Sequence, residues 1–300
     1  MESRKIQSVG SRSFAVSLPK EWILTNKLKA QDTVFIDSND RKELIIRKSG
    51  IQNNNTKTIN KEVGDLGTLI EFIVFCYIKN IDHVILHSKK MDYRVPGIVR
   101  QALKYLEGYE ITYEDENKVE ISFLFKEINI TIPKIIQRIF YLLKLHVSSI
   151  EKNDVKMLEE AELGVDRLYH LSTRILFSGM QDYSKREENE INDDEDFIFY
   201  QTLVKRLEHI SDNLKRLKDK KLSSSEVGYL NSIMELLNDF LSKKAHFPEL
   251  KQKWEQMKFT SKDQEINGIF RKIHFQCRDV FDARISLYFN SHIQEYLVKE

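Results

Sequence analysis

The sequence predicts a multidomain chain of mixed α and β class. It is expected to hold a strand-rich N-terminal segment at 1–50, a small α/β domain at 60–126 and an antiparallel helical bundle at 131–300. Three observations carry that expectation. The first fifty residues alternate apolar and polar side chains, as in "SFAVSL". Residues 60–125 switch between strand and helix periods, the pattern of a small α/β layer. From Pro133 onward apolar residues recur every three or four positions nearly throughout.

The elements follow in order. "RKIQSVG" reads as a strand ending at Gly10, and "SFAVSL" as a second, with Phe14, Val16 and Leu18 on one face. Pro19 has its φ pre-set for a first helical turn, and "KEWILTN" supplies that turn. "DTVFID" (32–37) and "ELIIRK" (43–48) form a further strand pair across the turn-rich "SNDRK". Four short strands and one turn of helix are too few to enclose a core, so this unit is expected to complete its core with a second copy of itself. "GIQNNNTKTIN" (50–60) is polar and reads as a connector.

"LGTLIEFIVFCYIKN" is helical, "HVILHS" a buried strand, and "YRVPGIVRQALKYLEG" a helix stopped by glycine. "YEITYEDENKVEISFLF" reads as a hairpin turning at 115–117. In the last part, "IPKIIQRIFYLLKLHVSSIEKN" opens the bundle, Asp154 caps the next helix, and three more helical stretches follow. The acidic "KREENEINDDED" (185–196) reads as a solvated loop, and the stretch before "NGIFRK" as less regular.

Composition limits the function. The chain has 300 residues, 41% of them hydrophobic and 31% charged, which suits two or three soluble domains. No signal peptide is read, and the longest apolar run, Leu69–Ile78, carries Glu71 and is half the roughly 20 residues that span a bilayer. Cys76 and Cys277 are isolated, which argues against disulfides or a thiolate metal site. A cytoplasmic protein without membrane insertion is expected. The net charge of +1 hides an asymmetry, because residues 1–30 hold six Lys and Arg against Glu2 and Glu21. No Ser/His/Asp or Cys/His constellation and no glycine-rich phosphate loop is apparent, so no enzyme is expected. The eight histidines are scattered and read as surface or packing residues; Trp22 reads as core.

The basic strands and helical turn can set several cations against phosphates. The pattern of basic strand, Gly turn, alternating strand, Leu-Pro, short helix, "LKAQDTV" and final hairpin resembles the AbrB/SpoVT/MazE family of swapped-hairpin DNA-binding domains. The resemblance implies a homodimeric barrel of interleaved hairpins. It implies that Arg4, Lys5, Arg12 and Lys20 face DNA. Ala30-Gln31 departs from the family's Gly-containing turn, which places Gln31 in that turn at some strain.

"ELGVD" and "EHISD" each set two carboxylates one helical turn apart, where they could share a hard cation. "LEEAELGVDRLYHLSTRIL" and "VKRLEHISDNLKRL" resemble the inner-helix signatures of PhoU-type phosphate-regulatory bundles. That resemblance makes Glu162, Asp166, Glu208 and Asp212 candidate ligands for a divalent or ferric ion. It divides the bundle into repeats at 131–220 and 223–300. The second repeat lacks the clean motif, with Arg278 at an acidic position and Asp279 and Asp282 nearby.

Together the parts resemble archaeal phosphate uptake regulators. The implied function is a DNA-binding regulator of phosphate uptake. The competing expectation is an interaction protein whose barrel only dimerises and whose bundle inhibits a phosphate transporter ATPase or sensor kinase.

Overall fold

The structure, a computed structural model, describes residues 3–10, 12–38, 44–48, 56–125, 128–181, 185–186, 189–242, 246–259 and 261–296. The chain divides into two compact units, Met1–Thr56 and Lys57–Glu300. The first unit contains β1 (Gln7–Val9) paired antiparallel with β2 (Ser13–Ala15), α1 (Lys20–Thr25), and β3 (Val34–Ser38) paired antiparallel with β4 (Leu44–Lys48). The two hairpins form separate two-stranded sheets. Pro19 takes the position before α1, and its carbonyl accepts from the Ile23 N–H at 3.1 Å. The β3–β4 turn at 39–43 and the connector at 50–55 lie outside the described residues.

The second unit begins with β5 (Thr58–Glu62), whose first three residues end the stretch 50–60 that reads as a polar connector. The strand is set by a distant partner: β5 runs parallel to β6 (His83–His87), with Ile59 opposite Val84. The sheet order is β5-β6-β8-β7, where β7 (Tyr109–Glu114) and β8 (Lys118–Phe123) form the expected hairpin. Asp115 closes that turn by accepting from the Asn117 and Lys118 amides, both at 2.8 Å. Helices α2 (Leu69–Ile78) and α3 (Val95–Leu103) supply Leu69, Ile73, Val95 and Val99 to a core with Val84, Leu86, Val119 and Ile121 of the sheet.

The larger core belongs to the helical part: α4 (Ile132–Lys152), α5 (Val155–Gln181), α6 (Asp194–Lys215), α7 (Ser224–Leu241), α8 (Phe247–Gln256) and α9 (Gln264–Ser291), followed by the short α10 (Ile293–Tyr296). Asp154 caps α5 through the Met157 amide at 3.0 Å. Ser223 and Glu226 form a reciprocal capping box on α7. Two readings change. The less regular stretch contains α8, whose few apolar residues include the buried Leu250 and Trp254. The acidic run is not all loop: Asp193 caps α6 and Asp194–Asp196 form its first turn, where negative charge meets the positive helix end. Residues 187 and 188 of that run lie outside the described residues.

Helix α5 packs on α2 through Arg174, which is only 2% exposed. Its Nη1 donates to the Tyr77 carbonyl at 2.6 Å, and the guanidinium lies 3.8 Å from the Phe123 ring centre and 5.0 Å from that of Tyr77. Among the described residues, no helix is long and apolar enough to cross a membrane.

Candidate functional site

Two places collect the residues singled out by sequence. The first is the N-terminal unit. Gly10 at φ 68° allows the tight β1–β2 turn, a backbone region costly for residues with a Cβ. The turn presents Arg12, whereas Arg4 and Lys5 lie at the hairpin's open end, and Lys20 starts α1; all four are exposed. Arg4 Nη1 lies 3.4 Å from Ser17 Oγ across the hairpin. Gln31 adopts φ 76°, the left-handed conformation its place in a glycine turn implies.

The apolar residues of this unit have no interior to fill. Leu28 is its only buried hydrophobic side chain among the described residues. Phe14 is 78% exposed, Ile6 72% and Leu44 70%, with Val9, Val16, Leu24, Phe35 and Ile36 also exposed. Trp22 is half-buried. The strands thus carry a core's worth of side chains that one chain leaves in water.

The second place is the α5–α6 face. The antiparallel helices bring Glu162, Asp166 and Asp212 together, with one carboxylate oxygen from each within 4.8 Å of the others. Glu208 stands outside that trio, its oxygens held by Lys205 Nζ at 3.0 and 3.1 Å. Burial and the carboxylates of Glu162, Glu208 and Asp212 push Asp166 up to about 7. Burial also raises Glu208, against the pull of Lys205. Lys215, which lies in neither acidic motif, donates to Glu162 at 2.5 Å. It lies one turn beyond Asp212, so the helical spacing that linked Glu208 to Asp212 could also have found it. Three hard oxygen donors, one of them an acid that resists ionising, fit a divalent or ferric cation, whose charge would relieve the repulsion.

The second half of the bundle offers no matching set among the described residues. Asp279 pairs with Arg206 at 2.9 Å, and Asp282 with Arg278 at 4.0 Å on the surface. Of the histidines, His146 is fully buried between α4, α5 and α6. Its Nε2 lies 2.9 Å from the Leu158 carbonyl and its Nδ1 3.3 Å from Ser211 Oγ. It therefore packs and braces the helices behind the carboxylates.

Residues 7–52 match the family described as antidote-toxin recognition MazE, bacterial antitoxin. The N-terminal unit is thus similar to the MazE/AbrB type of domain, which suggests a DNA-binding or antitoxin-type regulator. Domains of this type typically dimerise and bind DNA. No curated protein and no solved structure matches the chain.

Proposed function

We propose that the protein is a homodimeric, cytoplasmic DNA-binding regulator of phosphate uptake, acting without catalysis of its own. The observation that carries this reading is the N-terminal unit's set of exposed apolar strand residues, with Leu28 its one buried hydrophobic side chain among the described residues. A second copy supplies the missing half of that core. Interleaving two chains also doubles the cations, so Arg4, Lys5, Arg12 and Lys20 of each face the DNA phosphates. Phosphate contacts fix position and affinity, and exposed hairpin and loop residues read the groove.

The phosphate assignment rests on the likeness of the α5 and α6 sequences to PhoU-type bundles, and the clustering of Glu162, Asp166 and Asp212 supports it. These three would hold the metal ion, with Glu208 joining when it leaves Lys205. When bound, the ion supplies fixed positive charge that ties α5 to α6. Lys215 supplies a weaker version of that tie through Glu162.

The test is an electrophoretic shift with the full chain on DNA recovered genome-wide at high and low phosphate. Sites upstream of phosphate-transport genes are expected. Arg4→Ala with Arg12→Ala should weaken binding and reduce the salt slope by about 3–4, for two cations from each of two chains. Unchanged affinity in that double variant would overturn the interface. A full chain that ignores DNA but captures a phosphate transporter ATPase or sensor kinase would replace this reading with that of an interaction protein.

A further inference from the structure

A cleft of about 810 Å³ opens between α7, α8 and α9, far along the chain from the basic hairpin and outside the carboxylate trio. Its floor is aromatic. Trp254 stacks on His274 with ring centres 3.6 Å apart, and Tyr229 stacks on Phe259 at 4.8 Å. The Tyr229 hydroxyl lies 3.2 Å from His274 Nδ1 and fixes the imidazole's orientation. Burial lowers the His274 pKa, so the ring is neutral and adds aromatic surface rather than charge.

The walls carry four cations against two carboxylates, Glu255 and Asp282. Lys251 on α8 and Lys258 just beyond it line the cleft, as do Arg271 and Arg278 on α9. Arg271, Phe275 and Arg278 are spaced by four and three residues, so they share one helical face. Phe275 is 56% exposed, an aromatic ring in water between two guanidinium groups. Among the described residues, Lys251, Lys258 and Arg271 have no carboxylate within ion-pair distance, and Arg278 has only the exposed Asp282 at 4.0 Å. With four cations against two carboxylates around a concave aromatic floor, the cleft keeps an excess of positive charge that an anion would neutralise.

The geometry points to a binding site for a nucleoside polyphosphate, with the base against Phe275 and the aromatic floor and the phosphates among Arg271, Arg278, Lys251 and Lys258. The volume lies within the roughly 300–1,000 Å³ range of small-molecule sites. Planar guanidinium groups suit phosphate oxygens, and an exposed ring offers a face to any base. A bare anion would use the cations and leave the aromatic surface idle. A nucleoside without phosphates would do the reverse.

The chain has two tryptophans, Trp22 and Trp254, so Trp22→Phe leaves the cleft with its own fluorescent reporter. ATP should quench Trp254 saturably in that variant, and calorimetry on the unmodified full chain should give the same affinity. Arg271→Ala with Arg278→Ala should weaken ATP at least tenfold. Phe275→Ala should weaken it about fivefold or more. Tripolyphosphate and adenosine should each bind at least tenfold more weakly than ATP. Arg4→Ala with Arg12→Ala should leave ATP binding unchanged, which separates this site from the proposed DNA interface. The site is overturned if millimolar ATP gives no saturable heat, if tripolyphosphate binds as well as ATP, or if the arginine pair has no effect.

Discussion

Arg174 shows how much a single side chain can decide. Its burial costs several kcal/mol of hydration, and that cost lowers its pKa. Its returns are one short hydrogen bond to the Tyr77 carbonyl, a long ion pair to Asp82 at 3.9 Å and contacts with three rings, while Nε has no partner among the described residues. The charge is therefore poorly compensated, and shape should matter more. Arg174→Ala, which opens a cavity, should cost about 3 kcal/mol in urea denaturation. Arg174→Met, which keeps most of the volume, should cost about 1 kcal/mol or less.

Titration works in both directions at this scale. Burial depresses His146 and His170 to about 4, so both stay neutral in the fold while the unfolded chain protonates near 6.5. The unfolded state then binds more protons between those values, and their contribution to stability is lost as pH falls through that window. Replacing His146 with Gln should flatten that acid loss by an amount on the order of 2 kcal/mol between pH 6.5 and 4. Asp166 has the opposite sign. Its folded pKa of about 7 exceeds the unfolded value of 3.8, so its contribution declines as pH rises from about 4 to 7. Asp166→Asn should stabilise the metal-free chain above pH 7 by about 1–2 kcal/mol after solvent screening, while calorimetry finds its metal binding lost.

At the scale of elements, turns and caps hold the register. Gln31 sits at φ 76° where glycine would carry no penalty, so Gln31→Gly should raise stability by about 1 kcal/mol in a thermal melt of the N-terminal unit. Gly108 at φ 87° is the converse: an added Cβ would lie 2.7 Å from the Phe123 ring and 2.8 Å from that of Phe125. Most elements were legible because their signals are local. Pro133 at the start of α4, the Asp154 cap and the turn at Asp115 follow from three or four adjacent residues. Strand β5 was illegible because "TINKE" becomes a strand only by pairing with β6, twenty-five residues away. Helix α8 was obscured because its buried side chains are few among lysines and glutamines. The carboxylate trio was readable as two helical pairs, and Lys205, three residues before Glu208 on the same helix, was readable with them, but the pairing of Lys215 with Glu162 depends on how two helices meet. Nothing local marks an arginine as buried, so Arg174 was invisible to sequence.

The whole molecule joins two units that reach stability by different routes. The second encloses both of its cores within one chain, whereas the first leaves Phe14, Phe35, Ile36 and Leu44 exposed. Sedimentation equilibrium should find the full chain dimeric, and Phe14→Glu should dissociate it while the helical signal in circular dichroism persists. That difference has a thermodynamic signature. A unit folded within one chain melts at a temperature independent of dilution, but a unit completed by a second chain does not. Heating should give two transitions, and tenfold dilution should lower only the one reported by Trp22. In the proposed dimer the same asymmetry would order events during synthesis, since the hairpins leave the ribosome before the bundle yet would receive their core only when two chains meet. Cellular abundance would then set the fraction of chains able to grip an operator, with a steeper than linear dependence on expression.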